Sequence, residues 1–324
     1  MSTNGSPILE VRDLHKSFEQ KAGPLLPARA VKAVAGVDLR LYPGETLGLA
    51  GESGCGKSTL AKMIMGLTTP SSGEIVFKGT PLQMLSSNSL ADFRKTVQMV
   101  FQDPFASLNP RMRIGEIIAE PMNIHRIAPA TEIRERVARL MQMVGISPEL
   151  YDRYPHEFSG GQRQRIGIAR AIAVSPQAII ADEPLSALDI SIQAQIINLL
   201  QELQQSLKLA YLLISHDLSV IRHMSDRVAI MYLGKIVEEG ESEEIFTRCL
   251  HPYTEALLAA IPGEGGQRRK PKSGEMLANG SGCPFLGRCP YAGEICRQAA
   301  PRLEEKLHGH SAACHFSKDI FLTG

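Results

Sequence analysis

The sequence predicts an α/β protein built on a mainly parallel sheet, and three features indicate this class. Short apolar runs, such as residues 46–50 and 178–181, alternate with stretches of helical spacing, such as residues 192–203. A glycine-rich loop over residues 51–58 directly follows one of these strands and opens a helix. A mostly helical stretch, about residues 105–170, interrupts the alternation, so we expect it to be an insertion into the core.

The remaining elements are predicted from apolar spacing and turn residues. A helix is expected from Lys57 through Leu67, where Pro70 stops it, and another is expected to begin at Ser159. A helix over 192–203 is expected to be capped by Ser191. The other expected elements are strands at 8–14, 31–41, 74–77, 97–101 and 211–215, a loop at 20–30, a helix at 133–144, and a hairpin of 228–232 with 236–238.

The bulk composition limits the function classes. Of the 324 residues, 44% are hydrophobic and 21% are charged, with a net charge of +1, which is typical of a globular protein. This balance argues against a nucleic-acid protein that relies on a general positive field. No run approaches the roughly 20 apolar residues of a membrane span, and residues 1–7 lack the apolar core of a signal peptide. We therefore expect a cytoplasmic chain that meets a membrane only through partner proteins.

The glycine-rich loop matches the phosphate-binding pattern G-x-x-x-x-G-K-[ST] at every fixed position. Its glycines let backbone N–H groups surround phosphate oxygens, and the helix that follows adds a partial positive charge. Lys57 can reach the terminal phosphates, and the Ser58 hydroxyl can ligate Mg²⁺. The loop alone does not distinguish between kinases, GTPases and ATPases. The candidate nucleotide-binding residues here are Gly51, Ser53, Gly54, Cys55, Gly56, Lys57, Ser58 and Thr59.

A second motif is an apolar strand that ends in two acids, Asp182 and Glu183. In phosphate-loop enzymes such an aspartate lies beside the nucleotide's Mg²⁺. The adjacent Glu183 can polarise the attacking water as a general base. Two acids at the end of a buried strand are unfavourable unless a cation or water site stabilises them, so we expect a functional role.

The sequence Ser159-Gly160-Gly161-Gln162 narrows the class, because it resembles the signature of ATP-binding cassette (ABC) transporter ATPases, which kinases and GTPases lack. Other motifs of that family follow the same order. Gln102 resembles the Q-loop glutamine, and His216 the switch histidine. Asp189 closes a segment, 186–189, that resembles the D-loop, and Phe18 lies where an aromatic residue stacks on adenine.

The resemblance implies a RecA-like phosphate-loop NTPase core, an antiparallel β subdomain and an inserted helical signature subdomain. Members dimerise head to tail, so the signature residues 159–162 and Asp189 would help to form the partner's ATP site. Glu183, His216 and Gln102 would be the catalytic residues, and Ser58, Gln102 and Asp182 would hold Mg²⁺.

Two further segments resemble the oligopeptide/dipeptide importer ATPases: residues 103–111, directly after Gln102, and residues 251–258. The resemblance implies an ATPase domain over 1–250 and a small cysteine-containing C-terminal extension over 251–324, with a linker at 262–282. It implies a second, different ATPase subunit, two membrane permease subunits and a periplasmic or extracellular solute-binding protein, with this chain peripheral on the cytoplasmic face of the inner membrane. Nickel and glutathione importers share much of this pattern, so it leaves the solute open.

The C-terminal part holds four cysteines, Cys283, Cys289, Cys296 and Cys314. In a reducing compartment such a group is a metal candidate before it is a disulfide candidate. Four thiolates suit Zn²⁺ or an iron–sulfur cluster, and the closely spaced cysteine pair usual in structural zinc sites is missing. Some members of the resembled subfamily carry a 4Fe–4S cluster here, and we favour a cluster over zinc, disulfides or free thiols.

Cys55 stands apart, inside the phosphate loop. Its neighbour Lys57 and the helix N-terminus are expected to lower its thiol pKa. We interpret it as a tolerated small residue at a variable position, which a thiol reagent would reach only without ATP.

Two other functions are alternatives to transport. One is a soluble ABC ATPase that acts as a mechanical switch in translation or DNA repair, and the other is a nucleotide-dependent interaction module. The single phosphate loop and the lack of a long heptad run argue against the first. The intact Glu183 and His216 argue against the second. The sequence therefore favours the ATPase subunit of a peptide importer.

Overall fold

The computed structural model describes residues 5–20, 29–261 and 282–322. The predicted linker 262–282 therefore lies outside the described residues, apart from Gly282. Most of the predicted loop at 20–30 lies outside them as well.

Nine of the described strands lie at the expected positions, most of them with longer bounds. The described strands are β1 (Leu9–Gln20), β2 (Arg29–Leu41), β3 (Thr46–Ala50), β4 (Ser72–Phe77), β5 (Thr80–Pro81), β6 (Val97–Val100), β7 (Ala178–Asp182), β8 (Ala210–Ser215), β9 (Arg227–Tyr232), β10 (Lys235–Glu241), β11 (Glu304–Leu307) and β12 (His310–Ala312). Strands β5, β11 and β12 were not predicted.

The described helices include several short ones that the sequence did not predict. They are α1 (Lys57–Ile64), α2 (Ser87–Thr96), α3 (Pro104–Ser107), α4 (Ile114–Ile124), α5 (Ala130–Met143), α6 (Gly160–Ile172), α7 (Ile190–Leu207), α8 (Leu218–Met224), α9 (Ser242–Thr247), α10 (Pro252–Ala259), α11 (Ile295–Gln298) and α12 (Ser317–Phe321).

The chain forms two compact units whose segments interleave along the sequence. The first unit comprises Met1–Leu9, Leu41–Glu45 and Val76–Ile214. The second comprises Glu10–Arg40, Thr46–Ile75 and Ser215–Gly324.

In the first unit, β6, β7 and β8 pair in parallel, with Val97 opposite Ala178 and Ala178 opposite Ala210. Every residue of β7 is buried, because parallel strands are covered on both faces. Helices α4, α5 and α6 pack against one another and form the helical stretch that the sequence predicted. The apolar face of α5 is buried through Ile133 and Val137, as its spacing predicts.

In the second unit, β3 pairs in parallel with β9, and β9 and β10 form the predicted hairpin. The turn of this hairpin uses Leu233 and Gly234, both at positive φ. Strand β12 pairs antiparallel with β10, and β11 pairs with β12. The strands of the predicted C-terminal extension thus continue the edge formed by β10.

Two predicted helix ends were wrong. Helix α1 ends at Ile64 rather than near Leu67, and Leu67 is 60% exposed. The chain reverses earlier because Gly66 takes a left-handed conformation, at φ +70°. Asp189 occupies the N-cap position of α7 without a side-chain capping hydrogen bond, so Ser191 lies inside the first turn. Both residue types are favoured at N-caps, and the sequence alone did not separate the two positions.

Candidate active site

The phosphate loop, Gly51–Ser58, connects β3 to α1 in the conformation that its glycines permit. Gly51 and Gly56 have φ values of +154° and +113°. A Cβ on Gly51 would lie 2.2 Å from the Met231 carbonyl oxygen, and one on Gly56 would lie 2.0 Å from that of Ala33. Only glycine therefore fits at both positions.

Lys57 is the first residue of α1, and its side chain turns back into the loop. The residue is 4% exposed, and Nζ donates hydrogen bonds to the carbonyl oxygens of Gly51 (2.7 Å) and Glu52 (3.1 Å). The ammonium group is thus fixed among the loop's backbone atoms, where a phosphate oxygen would compete for the same protons. Ser58 and Thr59 follow on the first helical turn and are half-buried.

The expectation for Cys55 was wrong in its direction. Burial raises the pKa of its thiol and outweighs the opposing effect of the Lys57 charge, although Nζ lies 3.9 Å from Sγ. The thiol is therefore mostly protonated at neutral pH, and its modification by thiol reagents in the absence of ATP stays a prediction.

Two other candidate residues belong to the second unit. Phe18 lies near the end of β1 and is 44% exposed, with Lys16 Nζ 5.1 Å from its ring centroid. An exposed ring face is what stacking on a base requires. His216 follows the last residue of β8 and is exposed.

In the first unit, the predicted acids lie at the carboxyl end of β7. Asp182 is the last residue of the strand and is 3% exposed. Glu183 has a φ of +45°, which is rare for a residue with a side chain. Its N–H donates to the Ile214 carbonyl oxygen at 2.9 Å, which holds the residue in this conformation. Backbone strain of this kind is concentrated at functional sites.

The structure brings Gln102 and Glu183 together, although they lie far apart in the sequence. Gln102 Nε2 donates to Glu183 Oε2 at 3.1 Å. Ser186 fixes the backbone of Glu183, since its Oγ donates to the Glu183 carbonyl oxygen at 3.1 Å. Asp189 lies at the N-cap position of α7 and is exposed. The amide of Gln102 therefore orients the proposed general base.

The signature residues begin α6. Ser159 is its N-cap: its Oγ accepts from the Gln162 N–H at 3.3 Å, and its own N–H donates to Gln162 Oε1 at 3.0 Å. Gly160 is the first helical residue, and a Cβ on Gly161 would lie 2.4 Å from Ile192 Cγ2. The motif thus builds an exposed helix N-terminus with small residues, which favours an anion.

Sequence reasoning missed Arg163, the residue after the signature. It is buried, its Nε donates to the Pro155 carbonyl oxygen at 2.7 Å, and its guanidinium carbon lies 3.8 Å from the Phe105 ring centroid. It therefore joins the signature helix to the segment that follows Gln102. Its place directly after the signature was the only available signal.

Sequence reasoning also missed two residues of the second unit, Tyr253 and Arg288, that converge on Glu52 of the phosphate loop. The Glu52 carboxylate pairs with the Arg288 guanidinium, and the Glu52 N–H donates to Tyr253 Oη. No local pattern could indicate these contacts, because more than 200 residues separate the partners.

The four C-terminal cysteines line one cavity of about 10 Å³, all as free thiols. Burial raises the pKa of Cys283 and of Cys289 to about 11 in each case. Among residues 5–20, 29–261 and 282–322, no group of three or more His, Cys, Asp or Glu side chains is arranged to hold a metal ion. The thiols converge, but their present spacing is not that of a metal site.

Family comparisons agree with this geometry. The family model described as ABC transporter matches residues 34–186. The model described as oligopeptide/dipeptide transporter, C-terminal region, matches residues 237–296. Fold and site therefore define an ATPase of the ABC transporter class.

Similar proteins specify the family. The chain is 50% identical over 325 residues to the oligopeptide transport ATP-binding protein AppF of Bacillus subtilis, covering 97% of this chain and 98% of that protein. It is 50% identical over 319 residues to OppF of Escherichia coli, covering 95% of each. It is 46% identical over 319 residues to the di/tripeptide transport ATP-binding protein DppF of Pseudomonas aeruginosa, covering 97% and 98%. The chain belongs to the family of oligopeptide and dipeptide transport ATP-binding proteins.

Solved structures confirm the phosphate-loop ATPase fold. CbiO1 of Clostridium perfringens, part of the ABC transporter complex CbiONQ, has a TM-score of 0.63 at 29% identity, covering 75% of this chain and 91% of that chain. A dimeric ATP-binding cassette in a post-hydrolysis state, bound to ADP and Pi, has a TM-score of 0.63 at 27% identity, covering 72% and 98%.

Proposed function

We propose that this chain hydrolyses ATP to energise the import of oligopeptides or dipeptides through an ABC transporter. The near-full-length similarity to peptide transport ATP-binding proteins carries the assignment of the substrate class. The Gln102–Glu183 hydrogen bond at the end of β7 supports hydrolysis rather than nucleotide binding alone. The alternative, a soluble mechanical switch, is not favoured by these relatives.

The loop and the acids would have different roles in the ATPase, phosphate binding and activation of water. The N–H groups of the phosphate loop and the Lys57 ammonium would bind the terminal phosphates. Glu183 would accept a proton from the attacking water, with Gln102 holding its carboxylate in place. His216 would contribute a hydrogen bond to the phosphate, and Phe18 would stack on the base.

ABC ATPases use ATP with Mg²⁺, and the residues here fit the ion. Ser58, Gln102 and Asp182 offer the hard oxygen ligands that Mg²⁺ prefers. The Asp182 carboxylate is 3% exposed, and a divalent cation would offset its desolvation. When bound, the ion would neutralise charge that develops on the phosphates.

Each ATP would lie between two subunits. The exposed N-terminus of α6, with Ser159 and Gly161, offers N–H groups to a phosphate held by a second ATPase subunit. Gly160, Gln162 and Asp189 would contribute to the same nucleotide site of the second subunit. We propose that the second subunit is a related but different chain, as this subfamily's pattern implies.

The remaining partners would be two membrane permease subunits and a solute-binding protein, with this chain peripheral on the cytoplasmic face of the inner membrane. Among the described helices, none is long and apolar enough to cross a membrane. We propose an ATPase domain over 1–250, with its helical subdomain at about 105–170, and a C-terminal region over 251–324.

The 4Fe–4S cluster stays a prediction. Four thiols around one cavity favour it. The cavity of about 10 Å³ has room for roughly one water molecule, so the thiols do not fit a cluster without moving apart. Anaerobic purification with an iron assay and absorption spectroscopy tests it, and a colourless, iron-free protein would contradict it.

Reconstitution tests the proposed function. The complex of this chain with its permeases should hydrolyse ATP faster when a peptide-loaded binding protein is added. The matched control is the same complex with Glu183→Gln, which should bind ATP without turnover. A hydrolysis rate that is the same with and without the permeases and the binding protein would indicate the soluble switch instead.

A further inference from the structure

Glu52, the second residue of the phosphate loop, is held at each of its polar groups. Its carbonyl oxygen accepts from Lys57 Nζ at 3.1 Å. Its N–H donates to Tyr253 Oη at 2.8 Å. Its carboxylate accepts from both terminal nitrogens of Arg288, at 3.0 and 2.9 Å. Two of these three partners come from the C-terminal region.

The Arg288 contact has the geometry of a strong pair. The two parallel N–H···O bonds are bidentate, an arrangement that fixes orientation as well as distance. The side chains are only partly exposed, 20% for Arg288 and 39% for Glu52, so water screens their attraction incompletely. The Glu52 carboxylate holds the pKa of the Arg288 guanidinium above its usual range, so the arginine stays charged.

Arg288 is presented from a packed support. Phe285 precedes it by one turn, is buried, and meets the rings of Tyr232 and Tyr253 at centroid distances of 5.3 and 5.6 Å. The Arg288 N–H donates to the Phe285 carbonyl oxygen at 3.0 Å. The guanidinium carbon lies 5.8 Å from the Phe285 ring centroid. The arginine is therefore fixed relative to the same residues that hold the loop.

The charge of Glu52 matters because the loop's ligand is anionic. An unpaired carboxylate on a loop that binds phosphates would repel them. The Glu52 charge already affects another loop residue. Burial is the largest cause of the raised pKa of Cys55, and the Glu52 charge is a further cause in the same direction. Pairing with Arg288 offsets the charge of the Glu52 carboxylate and fixes the first turn of the loop.

We propose that Arg288, in the cysteine-bearing C-terminal region, is a positioning residue for nucleotide binding that acts through Glu52. Arg288 offsets the negative charge of Glu52 and keeps the phosphate loop in its binding conformation, although it contacts no nucleotide itself. Changes in the order of the region that carries it therefore alter the affinity for ATP. This inference rests on the proposed role of Gly51–Ser58 as the phosphate site.

The test is a double-mutant cycle on the full-length chain in its assembled transporter. Arg288→Gln should raise the KM for ATP about fivefold, the equivalent of about 1 kcal/mol, while kcat changes less than about twofold. Adding Glu52→Gln removes the unpaired carboxylate and should recover more than half of the lost affinity. Arg288→Lys, which keeps the charge but loses the bidentate geometry, should lie between Arg288→Gln and the native chain.

Arg297→Gln is the matched control, because Arg297 lies in the same C-terminal segment and pairs only weakly, at 3.6 Å, with the exposed Glu294. Binding of a fluorescent non-hydrolysable ATP analogue to the full chain, together with its melting temperature, separates affinity from folding. A KM for Arg288→Gln equal to that of Arg297→Gln would overturn the proposal. So would a double variant that recovers less than half of the loss. Lys57→Ala tests the phosphate loop itself: if it binds ATP normally, the proposed site is wrong, whatever Arg288 does.

Discussion

The phosphate loop and the Asp182–Glu183 carboxylate pair are held in very different ways. The loop is fixed by two glycines that admit no Cβ, by the inward-turned Lys57, by the bond that the Glu52 N–H donates to Tyr253, and by the bonds that Arg288 donates to the Glu52 carboxylate. The Glu183 side chain is half-buried and meets the amide of Gln102, itself exposed, in a hydrogen bond of 3.1 Å. A preformed loop suits binding. The base has its backbone fixed by Ile214 and Ser186, so any reorientation on nucleotide binding is confined to its side chain.

Removing the base should give the largest difference between binding and turnover. Glu183→Gln keeps the shape and the hydrogen-bonding capacity toward Gln102 but cannot accept a proton. We expect hydrolysis to fall by about 10²- to 10⁴-fold with little change in ATP affinity. Steady-state phosphate release and equilibrium binding measure the two. Near-normal ATPase activity in this variant would exclude Glu183 as the general base.

A pair of glycine variants tests how far the loop is preformed. Gly54→Ala introduces a side chain at φ +81° with nothing within 4 Å, whereas Gly56→Ala at φ +113° also meets the Ala33 carbonyl oxygen at 2.0 Å. Strain alone should weaken ATP binding about fivefold in Gly54→Ala, from about 1 kcal/mol. Gly56→Ala should bind at least about tenfold more weakly than Gly54→Ala, because its backbone must shift. Calorimetric titration of both variants provides the comparison, and equal affinities would show that the loop adapts.

The support behind the loop should depend on pH through His251. Burial lowers its pKa to about 3, and its neutral Nδ1 accepts the Tyr253 N–H at 3.0 Å as the cap of α10. Below about pH 6.5 His251 binds a proton in the unfolded chain but stays neutral in the folded chain. Stability from the neutral histidine is therefore present above pH 6.5 and is lost as the pH falls toward 3. Between pH 7 and 5 the loss should be about 2 kcal/mol.

His251→Asn is the control for this effect, because asparagine still caps the helix but does not titrate. Its unfolding free energy should fall less than that of the native chain over the same pH range, as measured by denaturant titration at each pH. An identical pH dependence would mean that His251 is not the group responsible.

The smallest expected effect comes from the tyrosine that accepts the Glu52 N–H. Tyr253→Phe keeps the buried ring and removes one acceptor. Losing one hydrogen bond should raise the KM for ATP by about twofold to fivefold, or about 0.5 to 1 kcal/mol. Tyr211→Phe is the matched control: its hydroxyl donates to the Leu200 carbonyl oxygen rather than to a residue of the loop, so the KM should not change.

Local sequence predicted most of the core but not the contacts that support the site. The strand of residues 46–50, the start of α6 and the β9–β10 hairpin follow from short-range spacing and turn residues. The pairing of β12 with β10 and the Arg288–Glu52 bond join residues that are far apart in the sequence. Local periodicity of apolar residues cannot predict such contacts. Cys55 shows a second limit. The sequence gives its charged neighbour, but the burial that sets the direction of its pKa exists only in the fold.

The distance along the chain between Glu52 and Arg288 also has a consequence for biosynthesis. The two residues are 236 positions apart, and ribosomes add about 5 to 20 residues per second. The loop therefore leaves the ribosome roughly 10 to 50 seconds before Arg288, the charge partner of Glu52, is made. During that interval Glu52 has no charge partner at Arg288, so a nascent or prematurely terminated chain should hold nucleotide less tightly than the finished protein.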